Sequence, residues 1–229
     1  MSDLVRVAVD AMGGDYAPVE PVKGAVEAVN ADERVKVQLV GQVDVIEKEL
    51  QKYTYPKERV EIVPATEIIE TGEPPVNAIR HKKDSSIVVG MKKVRCGEAD
   101  AFVSSGSTGA VLVGGQTIVG RIKGVERPPL APLIPTKDGV SLLIDCGANV
   151  DARPSHLVQF AMMGSIYMEH VVGIKNPRVG IVNIGVEEEK GKRARQRDVS
   201  ASERKPVYQL CRQYRSKRNS KRSRRRCCL

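Results

Sequence analysis

Short runs of branched aliphatic residues alternate with helix-compatible segments through most of this chain, and that alternation constrains its fold more than any other feature. Residues 5–10, 35–40, 60–63, 101–104, 140–145 and 179–184 read as strands. Between them, a segment with Pro21 near its start, then 44–52, 76–83, 86–95, a run ending near Val119, and 155–172 read as helices. Pro64, Gly72, Pro74 and Pro75 mark 64–75 as a loop. Pro128 and Pro129 lack amide donors, so their segment cannot be a central strand. Strands separated by helix-length connections pair in parallel, and the alternation predicts an α/β fold with a mainly parallel sheet. With no Trp and only 3% aromatic residues, the core must be built from Val, Ile, Leu, Ala and Met, which suits strands covered on both faces. Helix 155–172 is apolar around much of its circumference, which predicts central burial or a subunit interface.

The formal net charge of +9 is unevenly distributed. Residues 192–229 hold 15 of the 37 basic residues and two of the 28 acidic ones, leaving 22 basic against 26 acidic in residues 1–191. The first 191 residues therefore give no electrostatic reason to expect a nucleic-acid partner. They read as one α/β domain, and 192–229 as a basic tail too poor in aliphatic residues to offset the entropy of ordering. Five Cys without metal-ligand spacing predict neither a disulfide framework nor a metal site. Asp3, Arg6 and Asp10 interrupt any signal-peptide core, and no run approaches the roughly 20 apolar residues that span a bilayer.

Ligands of open α/β sheets bind at the carboxyl ends of the strands. Four strand ends here are rich in Gly and small polar residues: 10–15, 104–109, 145–149 and 183–185. In 104–109, Ser105, Gly106, Ser107, Thr108 and Gly109 put hydroxyls and backbone N–H groups before a helix-compatible stretch, where an oxyanion such as phosphate can sit; Gly13 and Gly14 join them. The Gly-Lys-Ser/Thr phosphate loop and the GxGxxG dinucleotide fingerprint are both absent, so nucleotide-driven phosphoryl transfer and NAD chemistry lose support. Arg80, His81, Lys82 and Lys83 have two readings: a solvated helix end matched to its dipole, or a clamp on phosphate or an acidic partner. Lys190 ends a charge run that reads either as plain surface or as a cation reaching the anion site. His156 reads as a helix-start residue and His170 as structural.

Read together, these segments resemble the PlsX family of bacterial phosphate acyltransferases. The resemblance rests on Val7-Ala-Val-Asp-Ala-Met-Gly-Gly-Asp-Tyr-Ala-Pro, on 78–86, and on Gly97-Glu-Ala-Asp-Ala-Phe-Val-Ser-Ser-Gly-Ser-Thr-Gly-Ala. It continues through 120–128, 145–149, 156–161 and 176–185, in family order across 5–191. It implies a three-layer α/β/α sandwich, incomplete at its C-terminus. It also implies transfer of a fatty acyl group from acyl carrier protein to inorganic phosphate without metal or cofactor, by a cytoplasmic homodimer peripheral to the membrane. In that reading Ser105–Gly109, Gly13 and Gly14 hold phosphate, and Asn149 and Asn183 polarise the thioester carbonyl. Lys190 stabilises charge, and Arg80, Lys82 and Lys83 meet phosphate or the carrier protein. A coenzyme A thioester as donor stays open. The family's last third does not follow Gly191. The abrupt change of composition there fits a shift of reading frame, the alternative being a basic extension for anionic lipid or nucleic acid.

Overall fold

The computed structural model describes residues 4–137, 139–149 and 152–182, and the backbone of 226–228. Two compact units divide the chain, residues 1–122 and 123–229, each with its own sheet.

In the first unit β1 (Val5–Asp10), α1 (Val19–Ala31), β2 (Val35–Gly41), α2 (Val43–Leu50) and β3 (Val60–Pro64) follow one another. Then come α3 (Pro75–His81), α4 (Ser86–Arg95), β4 (Ala101–Val103) and α5 (Thr108–Gly114), the last running on as a π-helical turn, Gly115–Val119. The four strands are parallel in the order β3-β2-β1-β4, with Val7 opposite Val37 and Ala101. The chain winds outward from β1 to β3, then returns to the other side of β1 as β4.

The alternation of side chains along the strands sends successive residues to opposite faces. Val37 and Leu39 pack with Val22, Val26 and Val29 of α1 and Ile46 and Leu50 of α2. Ala8, Val40 and Val63 face the other way, with Val89 and Val94 of α4 packed against them. Helices therefore cover both faces, and the expected α/β/α layering is present. A third cluster joins Ala78 and Ile79 of α3, Ile87, Val88 and Met91 of α4 and Ala110 of α5. Gly90 is required inside α4, because a Cβ there would meet the Phe102 ring at 2.5 Å.

The second unit contains β5 (Leu133–Thr136), β6 (Gly139–Leu143), α6 (Pro154–His170), β7 (Arg178–Gly180) and β8 (Arg226–Cys228), in the order β5-β6-β8-β7. The sequence patterning missed β5, which pairs antiparallel to β6 and carries Pro135. A strand at the sheet's edge needs partners on one side only, so it tolerates a residue without an amide donor. The tail 192–229 lies outside the described residues except for the backbone of 226–228, which pairs in parallel with β6 and β7.

The long helix forms close to its predicted bounds. Phe160, Ala161, Gly164 and Met168 are buried along one face, with Leu142, Ile144 and Val179 in the same cluster. Met162, Ile166 and Val171 on α6 and just after it are exposed. His156 starts the helix as expected: its Nδ1 accepts the Arg153 N–H at 3.2 Å while its Nε2 lies 3.1 Å from Glu126.

Candidate functional site

The winding direction reverses between β1 and β4, and the carboxyl ends of strands at such a point are where open α/β sheets bind ligands. Two loops meet there, 11–15 after β1 and 104–107 after β4.

Asp10, the last residue of β1, is only 1% exposed. Its Oδ1 accepts the Met12 N–H at 3.1 Å, which turns the chain out of the strand. Its Oδ2 accepts the Ser104 hydroxyl at 2.7 Å from the end of the neighbouring β4, and Ser104 Oγ in turn accepts the Gly106 N–H at 3.0 Å. One carboxylate thereby fixes both loops.

The glycines make this approach possible. A Cβ on Gly13 would overlap the Asp10 carboxylate and lie 2.9 Å from the Gly106 nitrogen. Gly14, at φ +104°, would place one 3.1 Å from the Ser105 Cβ. Gly13, Gly14, Ser105 and Gly106 are thus brought together, as the strand-end reading anticipated.

The remaining residues of the second loop divide by task. Ser105 and Thr108 are exposed. Ser107 is buried and caps α5, its Oγ accepting the Ala110 N–H at 3.3 Å. Gly109 lies against α3: a Cβ there would fall 2.6 Å from Pro75 Cγ. Its role in this geometry is packing.

The cation cluster on and after α3 is largely committed elsewhere. Lys82 Nζ donates to the Ile68 carbonyl at 2.6 Å and to Glu73 at 2.5 Å, closing the 68–82 segment on itself. That bond holds the Glu73 carboxyl below the usual carboxylate range. Lys83 Nζ donates to the Ile79 carbonyl at 3.1 Å, an end-of-helix contact. Arg80 is exposed on the last turn of α3. Of the two readings of this cluster, the helix-end one describes Lys82 and Lys83 as the structure places them.

Asn149 belongs to the second unit, in a loop built around Asp145. Asp145 Oδ1 accepts the Leu130 and Ala148 N–H groups, and Oδ2 accepts the Asn149 backbone N–H at 2.7 Å. The Asn149 side-chain amide donates to Asp145 at 2.8 Å and to the Pro128 carbonyl at 3.2 Å. Both amide hydrogens are engaged, so here the residue shapes its loop. Asn183 and Lys190 lie outside the described residues.

Sequence reasoning passed over Asp10 and Ser104, giving neither a role. The available signal was a carboxylate closing a strand otherwise rich in Val and Ala; the contact with Ser104, 94 positions away, had none.

Comparison with solved structures defines the class: an α/β protein with the phosphotransacetylase fold. The chain superposes on a phosphotransacetylase from Streptococcus pyogenes with a TM-score of 0.62 at 14% identity, covering 83% of this chain and 60% of that one. The EutD phosphotransacetylase from Staphylococcus aureus gives a TM-score of 0.62 at 17% identity, covering 87% and 64%.

Residues 5–215 match the family model described as "Fatty acid synthesis protein", and the chain belongs to that family, the PlsX phosphate acyltransferases. A phosphate acyltransferase of Alkaliphilus oremlandii is 50% identical over 210 residues, 91% of this chain and 59% of the relative. One from Clostridium kluyveri is 52% identical over 185 residues, 81% of this chain and 55% of the relative. The chain thus spans somewhat over half the length of the curated relatives it matches. Among the described residues no helix is long and apolar enough to cross a membrane.

Proposed function

We propose that the chain takes part in acyl transfer from the thioester of an acyl carrier protein to inorganic phosphate, giving an acyl phosphate for phospholipid synthesis. One observation carries the reading: glycine- and hydroxyl-rich loops meet at the switch point of the sheet, in a chain about half identical to phosphate acyltransferases.

Phosphate brings its own nucleophilic oxygen, so no covalent protein intermediate is needed. That oxygen attacks the thioester carbonyl carbon, the C–S bond breaks, and the proton carried by phosphate ends on the departing thiol. The protein's work is then to orient phosphate and to stabilise the developing oxyanion. Ser105 and Thr108 hydroxyls and the backbone of Gly13 and Gly14 hold phosphate, the Gly106 N–H being engaged by Ser104. Asn183 polarises the carbonyl and Lys190 stabilises charge, both by family resemblance. Arg80, exposed on the last turn of α3, meets an acidic carrier protein in this reading. The same reading carries a homodimer, a cytoplasmic location and peripheral contact with the membrane.

The test is phosphate-dependent thiol release by the full chain, with acyl phosphate trapped by hydroxylamine, from acyl carrier protein thioesters and from coenzyme A thioesters in parallel. Release from the carrier protein that requires phosphate supports the reading. Activity on coenzyme A thioesters alone moves it to the phosphotransacetylase reaction, and no release from either donor overturns it.

A further inference from the structure

Asp10 is a buried carboxylate at the floor of a crevice read as an anion site, and it forms no ion pair among the described residues. Coulomb repulsion makes such a charge costly beside a bound oxyanion, unless it discriminates between oxyanions.

The hydrogen bonds fix what it does. A carboxylate only accepts, so the Ser104 proton points at Asp10 Oδ2. Of the two lone pairs left on Ser104 Oγ, one accepts the Gly106 N–H. Ser104, which is partly exposed, keeps the other. Ser104 is therefore held as an acceptor in the crevice, with no proton to offer a ligand. Gly13 and Gly106 lock this polarity by bringing backbone against the carboxylate, a Cβ on Gly106 lying 3.2 Å from Oδ2. An acceptor favours an oxyanion that still carries a proton. Phosphate and arsenate carry one at neutral pH; sulfate carries none.

We propose that Asp10 and Ser104 are the specificity-determining pair of this crevice: Ser104, oriented by Asp10, accepts the P–OH proton of phosphate and excludes oxyanions without one. The inference rests on the phosphate reading above and goes beyond it by naming the form of the substrate that is selected. Asp10 is a positioning residue, acting through Ser104.

Binding of phosphate, arsenate and sulfate to the full chain is measured by titration calorimetry at neutral pH, for the wild type, Asp10→Asn and Ser104→Ala. The wild type binds phosphate and arsenate, and binds sulfate about ten- to a hundredfold more weakly, the scale of leaving one buried acceptor unsatisfied. In Asp10→Asn the amide donates to Ser104 Oγ, the hydroxyl proton turns to the crevice, and sulfate affinity comes within about threefold of phosphate. Ser104→Ala also loses the preference. A merely structural Asp10 would weaken all oxyanions in parallel; an unchanged phosphate-to-sulfate ratio in Asp10→Asn therefore overturns the proposal. So does a wild type that binds sulfate as tightly as phosphate, a result that needs no variant to fold. Acyl-phosphate formation separates the two readings. Turnover with sulfate competing as well as phosphate sinks the specificity pair alone, and selective oxyanion binding without thiol release sinks the acyl transfer alone. Binding of none of the three oxyanions sinks both.

Discussion

Gly13 and Gly24 show how differently two glycines of one chain are constrained. At Gly13 a Cβ would enter the space of the Asp10 carboxylate and the Gly106 amide, both fixed by hydrogen bonds, so the two loops must part. At Gly24, exposed within α1, a Cβ meets nothing within 4 Å. Gly13→Ala is expected to destabilise by about 1–3 kcal/mol, the usual range for forced overpacking, and to abolish phosphate binding. Gly24→Ala is expected to stabilise by about 0.5–1 kcal/mol, because alanine loses less backbone entropy in a helix. Urea denaturation of both variants checks the opposite signs. Two changes of the same sign would contradict the geometry.

At the scale of elements, α4 and α5 are started by serines. Ser85 is fully buried before α4: its Oγ accepts the Val88 N–H at 3.4 Å and donates to the Lys82 carbonyl at 2.8 Å. It thereby caps α4 and ties that cap to the end of α3. Ser85→Ala is expected to cost about 1–2 kcal/mol in chemical denaturation, the upper part of the range for a lost N-cap, since burial denies the freed groups a replacement from water. An exposed position such as Lys57→Ala is the control, expected within about 0.5 kcal/mol of wild type. Equal effects would show that the cap bonds contribute nothing.

For the whole molecule, the response to acid follows from its paired carboxylates. Asp32, which accepts hydrogen bonds from the Arg34 guanidinium, is lowered to about 2. Glu73 beside Lys82, Asp84 beside Thr66 and Asp100 beside Arg6 are also held below the usual range, chiefly by those side-chain hydrogen bonds. For a lowered carboxyl the unfolded chain binds protons more tightly than the folded one. Its stabilisation is complete above the unfolded value of about 4 and is lost as pH falls through the folded one, Asp32 reaching that point near 2. Tm is expected to be insensitive to these groups between neutral pH and about 5, and to decline below about 4. The decline is shallow, because these pairs lie near the surface and are screened. A Tm that rises on acidification across that window would contradict this account.

The sequence by itself determined the α/β class with its parallel sheet, since short aliphatic runs alternating with helix-length segments are local patterns that few architectures accommodate. It also grouped Gly13, Gly14, Ser105 and Gly106 as residues of strand-end loops, and the fold brings those loops into contact. The edge strand β5 was hidden by Pro135, and the commitments of Lys82 to Glu73 and of Asn149 to Asp145 by the same limit: composition states what a side chain can bond, not which partner folding delivers. Only the tertiary structure decided that β4 returns beside β1 and sets Ser104 against Asp10. That pairing depends on which strand edge the chain comes back to, and no local stretch of residues encodes a contact 94 positions long.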